Sequence, residues 1–138
     1  MRFSCLLIVA SVLLGACVER KADLDCAVSG ERVVLAQLMF GRAIGKDGLV
    51  SEDEWRDFVA TALTPAFPDG LTVQDAQGQW RDADTGAIVR EPSKLVTIIT
   101  TDTATTTARL ATIINAYKTR FRQDAVGLFM TPACGGFR

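Results

Sequence analysis

The chain has 138 residues, a formal net charge of −1 at pH 7, 49% apolar residues and no histidine. The absence of histidine excludes Ser–His–Asp and Cys–His catalysis, and it also excludes zinc or haem sites that use imidazole ligands. A nearly neutral chain without a polybasic run has no electrostatic footprint for nucleic acid, so we expect no nucleic-acid partner. We also expect no metal ion and no cofactor.

The first sixteen residues are predicted to be a lipoprotein signal peptide. Arg2 precedes an apolar stretch over residues 6–14, which is too short to span a membrane, and Leu14-Gly-Ala-Cys17 closes it. This ending resembles a bacterial lipobox, in which the cysteine is lipidated and the chain is cut before it, so Cys17 is the predicted lipidation site. The alternatives are an ordinary cleaved signal, or an uncleaved anchor, with a chance cysteine.

Residues 17–30 are predicted to be a polar tether between the lipid anchor and a folded domain. Two or more acyl chains would hold the protein stably on a membrane. Val18 stands where an aspartate would be the usual retention signal, so we expect the periplasmic face of an outer membrane in the cell envelope. The membrane is therefore the first predicted partner.

The two cysteines that remain predict a disulfide. Cys5 leaves with the signal peptide and Cys17 carries lipid, which leaves Cys26 and Cys134. Outside the cytoplasm such a pair is interpreted first as a disulfide, with free thiols or a metal pair as alternatives. The chain has neither histidine nor a Cys-x-x-Cys motif, which disfavours the metal alternative.

The first half of the domain predicts one strand and one helix. The apolar, β-branched run over residues 32–40 predicts a strand that ends at Gly41, and residues 45–48 predict a loop. Ser51 and Glu54 form a capping box at the start of a helix, and Pro65 is expected to stop that helix.

The second half predicts a hairpin, a helix and a final strand. A strand over residues 71–80, bulged at Gly78, leads through the connection 82–86 to a strand over residues 88–101. Pro92 is expected to kink or locally unpair this second strand. Residues 126–131 form the last strand. The helix before it has an apolar face of Leu110, Ile113, Ile114, Tyr117 and Phe121.

The resulting order, β-α-β-β-α-β, indicates an α+β fold: a ferredoxin-like sandwich with an antiparallel four-stranded sheet and two helices on one face. We expect residues 31–138 to form this single domain. In this topology the last strand lies beside the first, so the start of the first strand is near the end of the last. The topology therefore brings Cys26 close to Cys134, independently of the redox argument.

The first strand is apolar on both faces, which predicts an exposed apolar sheet surface, because helices cover one face of a two-layer sandwich. The side formed by Val34, Ala36, Leu38 and Phe40 has no polar interruption and is expected to face the core. The other side, which contains Gln37, would need a cover. A second copy packed sheet to sheet, a C-terminal segment and a ligand are the alternatives, and self-association as a homodimer is favoured over a ligand pocket.

Polar and aromatic residues around the predicted hairpin form a candidate ligand or partner surface. In a functional interpretation, Arg90 and Lys94 bind an anion, Glu91 accepts a proton and Trp80 provides a stacking surface. In the favoured alternative, the hairpin is a solvated surface with cross-strand ion pairs. Tyr117 is then a core residue with its hydroxyl at the rim. The full candidate set is Trp80, Arg81, Arg90, Glu91, Ser93, Lys94 and Tyr117.

Six motifs occur in order along the predicted domain. They are Phe40-Gly-Arg42, Val50-Ser-Glu-x-Glu-Trp-x-x-Phe58, Thr64-Pro-x-Phe-Pro-Asp-Gly-Leu-Thr-Val73, Gly78-Gln-Trp80, Arg90-Glu-x-Ser-Lys94 and Tyr117-Lys-x-Arg-Phe-x-Gln123. Together they resemble the bacterial envelope family known as domain of unknown function 3574, over residues 31–126. The resemblance implies a small secreted or lipid-anchored protein with no assigned reaction, so no catalytic residue is carried across.

Two functions follow as hypotheses. The first, which we favour, is a non-enzymatic lipoprotein that binds an envelope protein, or copies of itself, through the exposed sheet face. The second is a small-molecule site or a cofactor-free enzyme of the dimeric α/β-barrel type, with Trp80, Arg90, Glu91, Lys94 and Tyr117 as its residues. This second hypothesis is an analogy at the level of the fold.

Overall fold

A computed structural model describes residues 26, 30–45, 48–101 and 103–136. The predicted signal peptide, the lipidation site Cys17 and most of the tether lie outside the described residues. In the part of the chain that is described, no helix is both long enough and apolar enough to cross a membrane.

The described chain forms one four-stranded antiparallel sheet, a two-stranded hairpin and two helical regions. The order of the main sheet is β4-β5-β1-β6, with the last strand paired to the first. This confirms the α+β, ferredoxin-like prediction. The elements are β1 (Glu31–Gly41), β2 (Ala43–Ile44), β3 (Gly48–Leu49), α1 (Glu52–Phe58), a π-helical segment (Val59–Leu63), α2 (Thr64–Ala66), β4 (Thr72–Arg81), β5 (Ile88–Thr100), α3 (Ala104–Phe121) and β6 (Gly127–Gly135).

The first helical region begins as predicted but ends differently. Ser51 Oγ accepts a hydrogen bond from the Glu54 amide (3.2 Å), and Glu54 Oε2 accepts one from the Ser51 amide (2.8 Å), which completes the capping box. Pro65 does not stop the helix, which continues through Ala66. Proline lacks an N–H, and before it the helix widens to a π-helical turn in which the Thr64 amide donates to the Val59 carbonyl, five residues back.

The bulge expected at Gly78 is absent. The β4–β5 register is continuous from Thr72 opposite Thr97 to Arg81 opposite Ile88. A Cβ at Gly78 would lie 3.7 Å from Cγ of Glu91, its cross-strand neighbour. That distance is an ordinary van der Waals contact, so Gly78 is a regular strand position and inserts no extra residue into the ladder.

Pro92 unpairs β5 on one side only. On the β4 side it stays in register with Gln77. On the other side its carbonyl accepts a hydrogen bond from the Arg42 amide (3.0 Å), but a proline cannot donate one in return. The Arg42 carbonyl accepts from the Val50 amide instead (2.8 Å). The β1–β5 ladder consequently ends at Gly41 opposite Ser93, and the chain turns away into β2.

The last strand is longer than predicted and carries the disulfide. β6 continues past Pro132 as far as Gly135, which pairs with Glu31. Proline is compatible with this position because β6 is an edge strand, where one side needs no ladder hydrogen bond. The Cys26–Cys134 disulfide is formed, with 5.2 Å between the two Cα atoms, as predicted.

The core lies between the sheet and the helices. Val34, Ala36, Leu38 and Phe40 are all buried on the helix-covered side, which confirms the predicted core face of β1. Next to Phe40 the core becomes aromatic, with ring centroids between 4.7 and 6.1 Å apart for the closest pairs. Edge-to-face contacts of this kind add to the stabilisation from burial. The aromatic cluster consists of Phe40, Trp55, Phe58, Tyr117 and Phe121.

Candidate functional site

The segment that leaves β1, residues 41–43, is held by side chains from distant elements. The Tyr117 hydroxyl donates to the Gly41 carbonyl (2.8 Å), and Gln123 Nε2 donates to the Ala43 carbonyl (2.6 Å). The Ala43 amide donates to Glu91 Oε2 (3.1 Å). Three side chains from β5, α3 and the residues after α3 thus hold the backbone where it leaves the sheet.

Beside this segment lies an ion cluster of Arg42, Glu52, Asp75 and Lys94. The two cations are 8% and 5% exposed. Lys94 Nζ donates to both carboxylate oxygens of Glu52 (3.0 and 2.9 Å) and to the Asp75 carboxylate. Arg42 donates through Nη1 to Glu52 (2.5 Å) and through Nε to the Val50 carbonyl (2.8 Å). The two buried cations are therefore neutralised by these two carboxylates, which are more exposed to solvent than the cations.

The pKa shifts in the ion cluster and at Tyr117 keep each of these groups in one protonation state near neutral pH. Hydrogen bonds from Lys94 lower the pKa of Glu52 and of Asp75. Burial alone would lower the pKa of Lys94, but hydrogen bonds and charges from Asp75 and Glu52 outweigh it and raise the pKa. Burial raises the pKa of the Tyr117 hydroxyl. Lys94 is thus a permanent cation and Tyr117 a permanent hydrogen-bond donor near neutral pH, so neither serves as a proton acceptor.

Acid is expected to destabilise the fold through this ion cluster. The pKa values of Glu52 and Asp75 are below the ordinary 4.5 and 3.8, so their stabilisation is present above those values and is lost as pH falls through the folded-state pKa values. We expect the urea midpoint to fall between neutral pH and a pH below 3.8, and to fall less in the double variant Glu52→Gln/Asp75→Asn. Equal acid sensitivity in both proteins would contradict the assignment.

Some acid sensitivity is expected to persist in that double variant. Hydrogen bonds from the Ser51 amide lower the pKa of Glu54, and hydrogen bonds from the Thr85 amide lower the pKa of Asp82. These carboxylates stabilise a helix start and the β4–β5 turn, and both also lose their charge in acid. The single variant Glu54→Gln is the control for the contribution of the helix cap.

Tyr117→Phe is expected to lower the free energy of unfolding by about 1–2 kcal/mol, because it leaves the Gly41 carbonyl without its donor. Gln123→Leu removes the side-chain donor to the Ala43 carbonyl, two residues after Gly41. If residues 41–43 are held as one unit, urea denaturation of both single variants and the double variant will give non-additive losses of at least about 0.5 kcal/mol. Strict additivity would show that the two donors act separately.

The side of the sheet opposite the helices is exposed and largely apolar. This open face consists of Val33, Leu35, Gln37 and Met39 on β1 together with their neighbours on β4, β5 and β6 that point the same way. Its charged residues within these described strands are Glu31 and Glu91, one near each end. At its centre Gln37 Nε2 lies 3.5 Å from Thr97 Oγ1. The most exposed apolar side chains on it are Phe129 (59%), Trp80 (48%), Met39 (45%) and Ile99 (37%).

One end of the open face continues into a depression of about 280 Å³. Val33 and Ile99 line both the face and the depression, and Glu31, Asp69 and Arg109 add charge at its far side. Arg109 is held there by a hydrogen bond from Nη1 to the Ala66 carbonyl (3.2 Å). The open face is therefore recessed at this end.

Comparison with known protein families gives one match. The model of a family described as protein of unknown function, DUF3574, matches residues 35–137. The chain belongs to this family. No curated protein matches the sequence at a significant level.

Solved structures with a similar fold include two of a phage SAM lyase and one of CutA from Synechococcus elongatus. The lyase in complex with S-methyl-5'-thioadenosine has a TM-score of 0.58 at 17% identity, and the alignment covers 76% of this chain and 93% of the lyase. The apo lyase has a TM-score of 0.56 at 16% identity, with 80% and 97% covered. CutA has a TM-score of 0.49 at 13% identity, with 78% and 81% covered. At such identities the likeness to the lyase supports the ferredoxin-like fold alone.

Four of the six motifs that resemble the DUF3574 family, namely the first, second, fifth and sixth, meet around residues 41–43. Arg42 and Glu52 from the first two motifs form ion pairs in the cluster, and Lys94 from the fifth motif joins them. Glu91 and Tyr117 hold the backbone of the same segment. In this member of the DUF3574 family, polar residues from four of the six motifs therefore stabilise one turn of the chain.

The candidate hairpin residues divide between the two faces of the sheet. Trp80, Glu91 and Ser93 point to the open face, whereas Arg81, Arg90 and Lys94 point to the helix-covered side. The suggested anion clamp of Arg90 and Lys94 is not what the geometry presents, because Lys94 is buried against two carboxylates while Arg90 is exposed. Tyr117 is fully buried, as its core interpretation predicts, and its hydroxyl reaches Gly41.

Sequence reasoning missed four residues of this region. Arg42, Glu52 and Gln123 had been noted only as members of motifs. Asp75, in a strand of polar residues, carried no signal that separates it from its neighbours.

In the described residues no group of three or more His, Cys, Asp or Glu side chains is arranged to hold a metal ion.

Proposed function

We propose that this DUF3574 protein is a lipid-anchored, non-enzymatic envelope protein that binds a protein partner through the open face. The observation that carries the proposal is the exposure of large apolar side chains on a face whose charges lie near its ends. Phe129 is 59% exposed and Met39 is 45% exposed. Contiguous exposed apolar surface of this kind marks interaction sites in soluble domains.

The proposed address rests on the amino-terminal sequence. The lipobox-like ending at Cys17 supports attachment to a membrane, and Val18 supports the periplasmic face of an outer membrane. The Cys26–Cys134 disulfide fits this location, because such bonds form and persist in oxidising compartments. Anchoring would hold the open face within reach of other envelope proteins.

A catalytic role is less well supported by the geometry. Glu91, Lys94 and Tyr117 each have an internal hydrogen-bond partner, and the pKa directions keep Lys94 charged and Tyr117 neutral. The phage SAM lyase of similar fold was solved with S-methyl-5'-thioadenosine. At 17% identity the likeness in fold gives no reason to expect the same ligand here. The small-molecule hypothesis therefore has the fold in its favour, but its candidate groups Glu91, Lys94 and Tyr117 are held in internal hydrogen bonds.

Photo-crosslinking in intact cells tests the binding surface. A photoreactive amino acid is placed at position 129 of the full lipoprotein. A matched control carries it at position 49, where a similarly exposed leucine (51%) lies in β3, outside the main sheet. We expect a covalent protein adduct from position 129 and much less from position 49. No adduct from position 129, or equal adducts from both, would contradict the proposal.

The anchor is tested on its own. Cys17→Ser is expected to abolish incorporation of labelled fatty acid and to release the protein from the membrane fraction. Unchanged labelling would contradict lipidation at this residue.

A further inference from the structure

We propose that the occupant of the open face is a second copy of this chain, packed sheet to sheet. This inference rests on the proposed function and makes it more specific, since it names the partner. The two can fail separately, because another protein could occupy the same face.

The size of the open face fits a small symmetric dimer. Four strands spaced about 4.8 Å apart, each contributing about eight residues at about 3.3 Å, give a surface of about 20 by 26 Å. Two such surfaces would bury about 1,000 Å² in total, which is the lower limit for a specific interface. The recess at one end and the bulky Phe129 and Trp80 side chains extend this area.

The polarity of the open face is compatible with itself. Its two charged residues within the described strands, Glu31 and Glu91, lie near its ends, so the centre over which two copies would meet is uncharged. At the centre Gln37 carries an amide, which is both donor and acceptor. A two-fold axis close to Gln37 would pair the two amides, and the apolar side chains around them would exclude water.

Other parts of this chain are poorer covers for the open face. Residues up to Gly135 are used in β6, within the sheet itself, so they do not lie across it. The tether before Cys26 contains five charged residues in positions 18–25, Val-Glu-Arg-Lys-Ala-Asp-Leu-Asp. Laying such a segment on apolar strands would remove charges from water without partners.

Anchoring adds a second reason for self-association. Copies that share one membrane surface meet at a much higher effective concentration than free copies do, so a small interface suffices to hold them together. The tether enters next to the disulfide, at the end of the sheet where Glu31 pairs with Gly135. The open face itself therefore stays available to a neighbouring copy.

The test is native mass spectrometry of the full lipidated protein ejected directly from lipid vesicles, with three sequences compared. Wild type is expected to be a dimer. Phe129→Glu places a charge in the contact and is expected to raise the dimer Kd by at least about 30-fold, as for loss of an interface hot spot. Leu49→Glu, at an equally exposed site outside the open face, is expected to leave the dimer intact.

The possible outcomes separate the inference from the proposed function. A monomeric wild type, or a dimer that survives Phe129→Glu, overturns the second copy as occupant. If position 129 still crosslinks to a different protein in cells, the binding surface stands while this inference fails. If position 129 gives no adduct and wild type is monomeric, both fail. Circular dichroism of Phe129→Glu verifies folding, and Met39→Lys provides a second substitution on the open face.

Discussion

Reduction of the Cys26–Cys134 disulfide is expected to lower the melting temperature by about 15 °C. The bond joins residues separated by 108 positions, so it restricts a large part of the unfolded chain. For a loop of this length the chain-entropy estimate is about 4–5 kcal/mol. A domain of this size loses about 3–4 °C of melting temperature for each kcal/mol.

The structure gives this disulfide a local task as well. It fastens the end of the edge strand β6 to the residues just before β1, where Glu31 and Gly135 are the last pair of the ladder. Without the bond, we expect hydrogen exchange to increase first in residues 131–135. Edge strands open more readily than central ones because only one side is paired.

The control for this prediction is the double variant Cys26→Ser/Cys134→Ser. Its melting temperature should match that of reduced wild type and should not respond to reductant. Equal melting temperatures for oxidised wild type and the double variant would contradict the prediction.

Phe40→Ala is expected to lower the free energy of unfolding by about 3–5 kcal/mol. Phe40 is fully buried, and its ring centroid lies 4.7 Å from that of Tyr117 and 5.3 Å from that of Trp55. Truncation removes apolar burial and leaves a cavity that rigid neighbouring rings cannot fill. The cavity would also lie next to Gly41, where Tyr117 holds the departing chain.

Urea denaturation near neutral pH measures this loss, with Phe40→Leu and Leu49→Ala as controls. Phe40→Leu keeps most of the volume and is expected to cost less than Phe40→Ala. Leu49 is 51% exposed, so its truncation is expected to change stability by about 0.5 kcal/mol or less. A loss below about 1 kcal/mol for Phe40→Ala would show that the aromatic cluster is not the centre of the core.

Much of the fold was predictable because its signals are local. The Ser51 capping box depends on four consecutive residues, and the alternation in β1 depends on the two-residue period of a strand. The β-α-β-β-α-β order then left few topologies, and the cysteine pair agreed with one of them. Three predictions were wrong: a helix stop at Pro65, a bulge at Gly78 and a last strand that ends at residue 131. These features depend on neighbouring elements as well as on local preference.

The candidate site was predicted less well, for a physical reason. The hairpin residues were grouped by nearness in sequence, but the strand period sends Glu91 and Lys94 to opposite faces of the sheet. Glu52 was noted only as a member of a motif, although it binds Lys94, 42 positions away. Charged residues reveal such partners only when the register of strands is known.

The sequence by itself determined the order of the four main strands and two main helical regions, the core face of β1, the helix cap and the pairing of Cys26 with Cys134. Each follows from periodicity, capping chemistry or the number of cysteines available, all of which act over short distances or by elimination. The sequence did not predict the short β2–β3 hairpin. Only the tertiary structure decided that Lys94 is buried between carboxylates, that Tyr117 and Glu91 hold residues 41–43, and that the open face carries its charges near its ends. These features depend on which strands lie side by side and in which register, since only that arrangement brings distant residues into contact.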